Sequence, residues 1–274
     1  RFAPYAYQRA ILDDRSPRRL ILKARQTGIS NTLAIEALHA ALTTPDQTIL
    51  FVSRNQDVAC ELIHYCQHTL GGLQGPQPAL TKENQSQLAW ANGSRILSLA
   101  ATASAGRGVA ARRVYLDEFA FCLYDQLIYE SIVPTLSQGG QLTVLSTPRG
   151  RANMFFRLWS GLEGGAWSRH EIHWQDCPRY TPEWAEAMRA TMTRQAWAQE
   201  YDCDFVASGD AVFDAADLAR CSNNYDPDPE GCERVKAMVD FYAARHYSSE
   251  TTYDDLEARD PDDVLYFTAG LQPF

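Results

Sequence analysis

A short apolar run, Leu20-Ile21-Leu22, leads into Lys23-Ala-Arg-Gln-Thr-Gly28-Ile29-Ser30 and then into an Ala/Leu-rich helical stretch from Asn31 to Leu42. Buried strand, glycine-bearing loop and helix, in that order, frame a phosphate-binding loop of the type G-x-x-x-x-G-K-[ST]. Gly28 and Ser30 fall on the second glycine and the hydroxyl. Ile29 takes the usual lysine position, and Lys23 stands where the first glycine belongs. A cation at the start of the loop still reaches β- and γ-phosphates. The backbone N–H groups of Gln26, Thr27, Gly28 and Ile29, with the helix N-terminus behind them, cradle the oxygens. The loop by itself is a weak match, and motifs further along the chain strengthen the reading.

Apolar β-rich runs alternate with helical patterns along the first two thirds of the chain, as in a mostly parallel sheet sandwiched by helices. The expected strands are Arg19–Ala24, Thr48–Ser53, Arg95–Leu99, Val114–Asp117 and Leu142–Ser146. The expected helices are Asn31–Leu42, Asn55–Leu70, Leu123–Val133, Asn153–Trp159 and a long one from Pro182 to Tyr201. Between Ala100 and Ala111 lies a Gly/Ala/Ser loop, expected to be mobile. Charge is divided unevenly: residues 202–274 hold 17 acids and 5 bases, a balance of −12, while residues 1–201 come to +3. The net charge of −9 therefore belongs to the tail. Residues 84–116 contain no acid and carry Arg95, Arg107, Arg112 and Arg113, a cluster able to meet phosphate. Seven cysteines with no C-x-x-C pair read as reduced thiols. No apolar run approaches membrane-spanning length, and the first residues carry no signal-peptide pattern.

Val114-Tyr-Leu-Asp117-Glu118 is an apolar strand ending in two adjacent carboxylates, placed at the same sheet edge as the loop. Asp117 is expected to hold Mg²⁺ together with Ser30, and Glu118 to orient and polarise an attacking water. A strand merely capped by solvated acids is the plainer alternative, and the phosphate loop 87 residues upstream disfavours it. Leu145-Ser146-Thr147-Pro148-Arg149-Gly150 ends a further buried strand in two hydroxyls. Ser146 and Thr147 can sense a γ-phosphate and pass its loss onward; an ordinary strand–turn punctuated by Pro and Gly is the other reading. Arg149 and Arg151 extend the basic surface.

Taken together the chain resembles the large terminase subunit of tailed bacteriophages, the ATP-driven DNA-packaging motor. The likeness rests on Tyr5-Ala-Tyr-Gln8, Lys23–Ser30, Phe51-Val-Ser-Arg-Asn-Gln-Asp-Val-Ala59, Leu116-Asp-Glu-Phe119, Ser146-Thr-Pro-Arg-Gly150 and Trp197–Phe205, and it spans about residues 4–213. It implies a RecA-like P-loop NTPase of the ASCE type (α/β, with a small helical lid subdomain). Residues 1–175 would form the ATPase core, 176–213 the lid and 214–263 an acidic linker. Residues 264–274 would be a possible first strand of a truncated RNase H-like nuclease domain. Gln8 would read the adenine edge beside Tyr5 or Tyr7, with Lys23 and Arg25 as phosphate cations. Arg107, in the loop ten residues before Asp117, would act in trans on a neighbour's ATP; a DNA contact or a solvated arginine are its other readings.

ATP and Mg²⁺ are the implied cofactors. Implied partners are double-stranded DNA, the portal protein, the small terminase subunit and further copies of this chain in a homo-oligomeric ring. The setting would be the cytoplasm of the bacterial host, with transient docking on a procapsid and no membrane. Arg112, Arg113, Arg149 and Arg151 are the candidate DNA contacts, with one of Arg112 and Arg113 alternatively pairing an acid at the strand's start. Tyr266-Phe-Thr-Ala-Gly-Leu-Gln272 resembles the nuclease's first strand, but Gln272 stands where a metal-binding acid is expected. No DNA cleavage is therefore expected of this chain. A helicase-like translocase and a nucleotide-binding prophage remnant without turnover are the alternatives. The six histidines form no ligand spacing; His170 and His173, in an expected strand, point to opposite faces.

Overall fold

The computed structural model describes residues 3–136 and 139–205. The expected linker 214–263, the possible strand 264–274 and the end of the expected lid lie outside the described residues.

Strands β1 (Arg18–Lys23), β2 (Thr48–Ser53), β5 (Arg95–Ala100), β6 (Arg113–Asp117), β7 (Gln141–Ser146) and β8 (Ser168–Ile172) run parallel, and the hairpin β3 (Leu80–Asn84)–β4 (Gln87–Trp90) joins antiparallel at one edge. The order across the sheet is β3-β4-β5-β2-β6-β7-β1-β8. Helices α1 (Ala6–Asp13), α2 (Ile29–Thr43) and α3 (Gln56–Gly71) are followed by α4 (Asp125–Ile132), α5 (Met154–Ser160), α6 (Pro182–Arg189) and α7 (Arg194–Glu200). The central strands are buried on both faces, as parallel strands between helix layers must be. Ile21, Ile49, Phe51, Tyr115 and Leu145 pack with α2 and α3 on one side. Leu20, Leu22, Leu50, Val52, Val114, Leu116, Leu142 and Val144 pack on the other with residues of α4, α5 and the segment from Trp174 to Phe205.

Helix starts follow side-chain caps. Asn55, Asn153, Thr181 and Thr193 each accept from a backbone N–H in the first turn of α3, α5, α6 and α7. Thr193 also explains a correction. The single helix expected from Pro182 to Tyr201 is two helices, because Thr193 stands in extended backbone and caps a new one. Three other elements were not expected. Strand β3, Leu-Thr-Lys-Glu-Asn, is exposed along its whole length, so no apolar alternation marks it. β4 pairs it, and α1 follows Tyr5 at the chain's start.

A buried polar network ties the α2 layer to the sheet. The Arg19 guanidinium, fully buried, meets the Glu36 carboxylate of α2 at 2.7 and 3.1 Å and donates to Thr143 Oγ1 and the Ile11 carbonyl. The Tyr115 hydroxyl donates to the same carboxylate at 3.0 Å. The charged groups inside this layer thereby have partners, which a buried charge requires.

Candidate active site

In a parallel sheet every strand ends at the same edge, and four ends here carry polar groups. Lys23 closes β1, Ser53 β2, Asp117 β6 and Ser146 β7. Lys23, Ser53 and Asp117 continue the alternation that faces α2, whereas Ser146 falls on the opposite face. The expected phosphate loop leads straight into α2, whose first turn carries Ser30. Gly28 takes the left-handed conformation, φ +78°, at the helix start, and a Cβ there would come within 3.1 Å of Gln8 Nε2. Among the described residues the N–H groups of Gln26, Thr27, Gly28, Ile29 and Ser30 find no backbone acceptor, so they form a row of donors at a helix N-terminus.

Lys23 Nζ lies 2.7 Å from Glu118 Oε1, and Ser30 Oγ lies 3.2 Å from Asp117 Oδ1. Glu118 itself has left-handed backbone, φ +51°, and its N–H donates to Asp117 Oδ1. Such a conformation at a non-glycine residue costs about 1 kcal/mol or more and recurs at functional sites. Burial pushes the Asp117 carboxyl up to about 6, held from going further by Lys23 and driven upward by Glu118. Burial alone would lower Lys23, but the Glu118 and Asp117 carboxylates outweigh it and hold the ammonium form. Ser146 Oγ accepts from the N–H of Ala120, two residues past the carboxylate pair, so the expected coupling strand touches the turn that carries Glu118. Thr147, the next residue along the chain, is buried too.

Ser53 was not singled out from the sequence. Its hydroxyl is buried with no partner among the described residues, and it sits in register with Asp117 on the adjacent strand. The hydroxyls of Ser30 and Ser53 and the Asp117 carboxyl are hard oxygen donors, a set that fits Mg²⁺ retaining most of its waters.

The loop is also held by Glu200, Arg179 and Tyr180, which sequence spacing could not find, together with Tyr7 and Gln8, which it did. Arg25 N–H donates to the Glu200 carbonyl, and the Arg25 side chain, mostly exposed, lies 3.6 Å from the Glu200 carboxylate. Tyr180, Arg179, Tyr7 and Gln8 donate to the loop carbonyls. Gln8 thus lies buried against the loop, with Tyr5 and Tyr7 rings 5.8 Å apart beside it. The remaining arginines are elsewhere. Arg107 is exposed and lines a cleft with Leu127 and Glu130 of α4, apart from the sheet-edge cluster. Arg112 and Arg113 stand at the start of β6, the end opposite Asp117. Arg113 is engaged by Gln141 Oε1 at 2.7 Å and Glu36 at 3.7 Å, which is the acid pairing at the strand's start. Arg149 lies over the Phe121 ring at 5.2 Å, and Arg151 donates to the Phe205 carbonyl. Among the histidines, His170 meets Asp14 at 2.8 Å, and no group of three metal-ligating side chains occurs among the described residues.

Residues 20–220 match the family model described as "Terminase large subunit, T4likevirus-type, N-terminal". No curated protein matches the chain. Among solved structures, the ATPase domain of the large terminase of Thermus phage P74-26 superposes with a TM-score of 0.61 at 22% identity, over 75% of this chain and 95% of that one. The large terminase of a thermophilic bacteriophage gives 0.64 at 11% identity, covering 78% of this chain and 58% of that one. That of bacteriophage HK97 gives 0.58 at 12% identity, covering 80% and 54%. The chain thus spans a little over half of the two longer terminases, and the thermophilic phage's enzyme was also solved in complex with ADP.

Proposed function

The chain belongs to the terminase large-subunit family, and from that premise we propose that it is the ATP-hydrolysing motor of phage DNA packaging, moving double-stranded DNA through a portal into a procapsid. One observation carries this reading: Lys23, the row of loop amides, Ser30, Asp117 and Glu118 converge at one sheet edge. The loop amides and Lys23 would bind the β- and γ-phosphates, with Tyr5, Tyr7 and Gln8 toward the base. Ser30 and Asp117, with Ser53 beside them, would hold Mg²⁺, which neutralises phosphate charge when bound.

The Lys23–Glu118 ion pair suggests how the site is kept idle. A γ-phosphate is a stronger partner for the Lys23 ammonium than a single carboxylate, so its arrival frees Glu118 to accept a proton from water. Loss of the phosphate restores the pair. Ser146, bonded to the turn after Glu118, would pass that change on to Thr147, just past the end of β7. Arg107, apart from its own chain's sheet-edge cluster, would serve a neighbouring copy in a ring. Arg112, Arg113, Arg149 and Arg151 remain the proposed DNA contacts, and Arg113 would have to leave Glu36 and Gln141 to make one. Portal, small subunit and host cytoplasm belong to the same reading, and no helix among the described residues is long and apolar enough to cross a membrane.

The test is steady-state ATP hydrolysis with Mg²⁺, with and without duplex DNA. Glu118→Ala should abolish turnover, and Arg107→Ala should lower it by about 10³-fold or more. Mixing the two variants should restore activity if Arg107 acts across subunits. Wild type no more active than Glu118→Ala, with DNA present, would leave a nucleotide-binding remnant as the better account.

A further inference from the structure

Three successive loop carbonyls accept hydrogen bonds from side chains outside the loop. Tyr180 Oη lies 3.1 Å from the Arg25 oxygen and 3.3 Å from that of Gln26. Arg179 Nη2 donates to the Gln26 oxygen, and Tyr7 Oη to that of Thr27 at 2.7 Å. In a trans peptide the C=O and the next N–H point in opposite directions. A carbonyl drawn toward the Arg179–Tyr180 side therefore turns the following N–H toward the other side of the loop. Gln26 is held at φ +57°, a conformation that persists only where the surroundings enforce it.

We infer that Arg179 and Tyr180 are positioning residues for the phosphate loop: by gripping the Arg25 and Gln26 carbonyls they aim the Gln26 and Thr27 amides at the polyphosphate of a nucleotide. Both residues precede α6, in the segment after β8. Tyr180 stacks on Trp184 at 4.0 Å and 13°, and Trp184 and Trp197 pack against Tyr201, next to Glu200, whose carbonyl takes the Arg25 N–H. The loop's readiness for an anion therefore depends on how this aromatic segment is docked. In this role Tyr180 and Arg179 act through the loop backbone, whose carbonyls their side chains hold. This deepens the nucleotide reading above and rests on it.

The test uses the 274-residue chain, a fluorescent ADP analogue with Mg²⁺, and Tyr180→Phe, Arg179→Ala and Arg179→Lys. Tyr180→Phe keeps the stack on Trp184 and removes only the hydroxyl; Arg179 is exposed, and its replacement also removes a side-chain interaction with Cys177, which the melting temperature of the nucleotide-free variant registers. Tyr180→Phe and Arg179→Ala should each raise Kd about 3- to 10-fold, the worth of one hydrogen bond. Arg179→Lys should recover part of the loss. KM for ATP should rise with kcat nearly unchanged, and ADP should slow amide exchange at Gln26 and Thr27 in wild type more than in either variant. Variants that bind like wild type overturn the positioning role and leave the nucleotide reading standing. So does weaker binding matched by an equal fall in the melting temperature of the nucleotide-free chain. Wild type that binds no nucleotide overturns both.

Discussion

Replacing Glu36 by alanine removes the carboxylate that meets Arg19, whose side chain has no exposed surface. Glu36 accepts from both terminal nitrogens of that guanidinium and from the Tyr115 hydroxyl. Breaking one side of a buried ion pair costs about 3–5 kcal/mol because the other charge stays behind. The orphaned Tyr115 hydroxyl adds about 1 kcal/mol or more, and water entering the space left by the carboxylate gives part of that back. The expected loss is about 4 kcal/mol, or a fall in Tm of roughly 8–16 °C for a domain of this size. Urea unfolding monitored by tryptophan fluorescence measures it, with Arg19→Met/Glu36→Leu as the companion variant. Removing both charges should recover about half of the loss or more. A loss under about 1 kcal/mol for Glu36→Ala would refute the argument, because Arg19 would then have to be solvated rather than held by α2.

Three further outcomes are expected. Asp117 has a folded-state pKa of about 6, above its unfolded value, so it contributes stability below about 4 that is lost as pH rises through 6; Asp117→Asn should therefore raise Tm at pH 8, the gain shrinking as pH falls through 6, and a gain equal at all pH values would contradict the burial argument. Burial pushes the Cys66, Cys122 and Cys203 thiols up to about 12, so peptide mapping after brief iodoacetamide treatment at pH 8 should find Cys60 alkylated ahead of all three. Gly28→Ala forces a side chain into left-handed backbone and against Gln8, which should cost about 1–2 kcal/mol of stability and weaken nucleotide binding; an unchanged thermal unfolding curve would show that the loop relaxes freely.

Much of the core was legible because apolar strands announce themselves. β1, β2, β5, β6 and β7 begin and end within a residue of the reading from Leu20-Ile21-Leu22 and its counterparts. The carboxylate pair was legible for a related reason: two acids directly after a buried run have only the strand's end to occupy. What the sequence could not reveal depends on strand order or on surroundings far along the chain. Lys23 and Glu118 are 95 residues apart and meet only because β7 alone separates β1 from β6. Arg179 and Tyr180 come after a proline with no periodicity to mark them, and their partners are backbone oxygens that carry no sequence signature. Glu36 reads as one more helix residue in an Ala/Leu-rich stretch, since its burial is set by an arginine on a strand across the layer. The break before Thr193 was missed for the opposite reason: apolar spacing on both sides ran on through it.

Among the described residues strand β8 is an edge strand, bonded to β1 alone over five residue pairs, and its end continues through the Ala24–Ile172 hydrogen bond into the segment that grips the loop. That geometry sets how the molecule bears load. A tug on the gripping segment along the strand axis strains the evenly spaced ladder bonds together, in shear, so no single bond yields first. The same tug applied sideways would open them one by one from the end. The segment between Trp174 and Phe205 is therefore held at one end by a ladder that resists pulling along the strand axis, and that ladder's partner strand, β1, ends at Lys23.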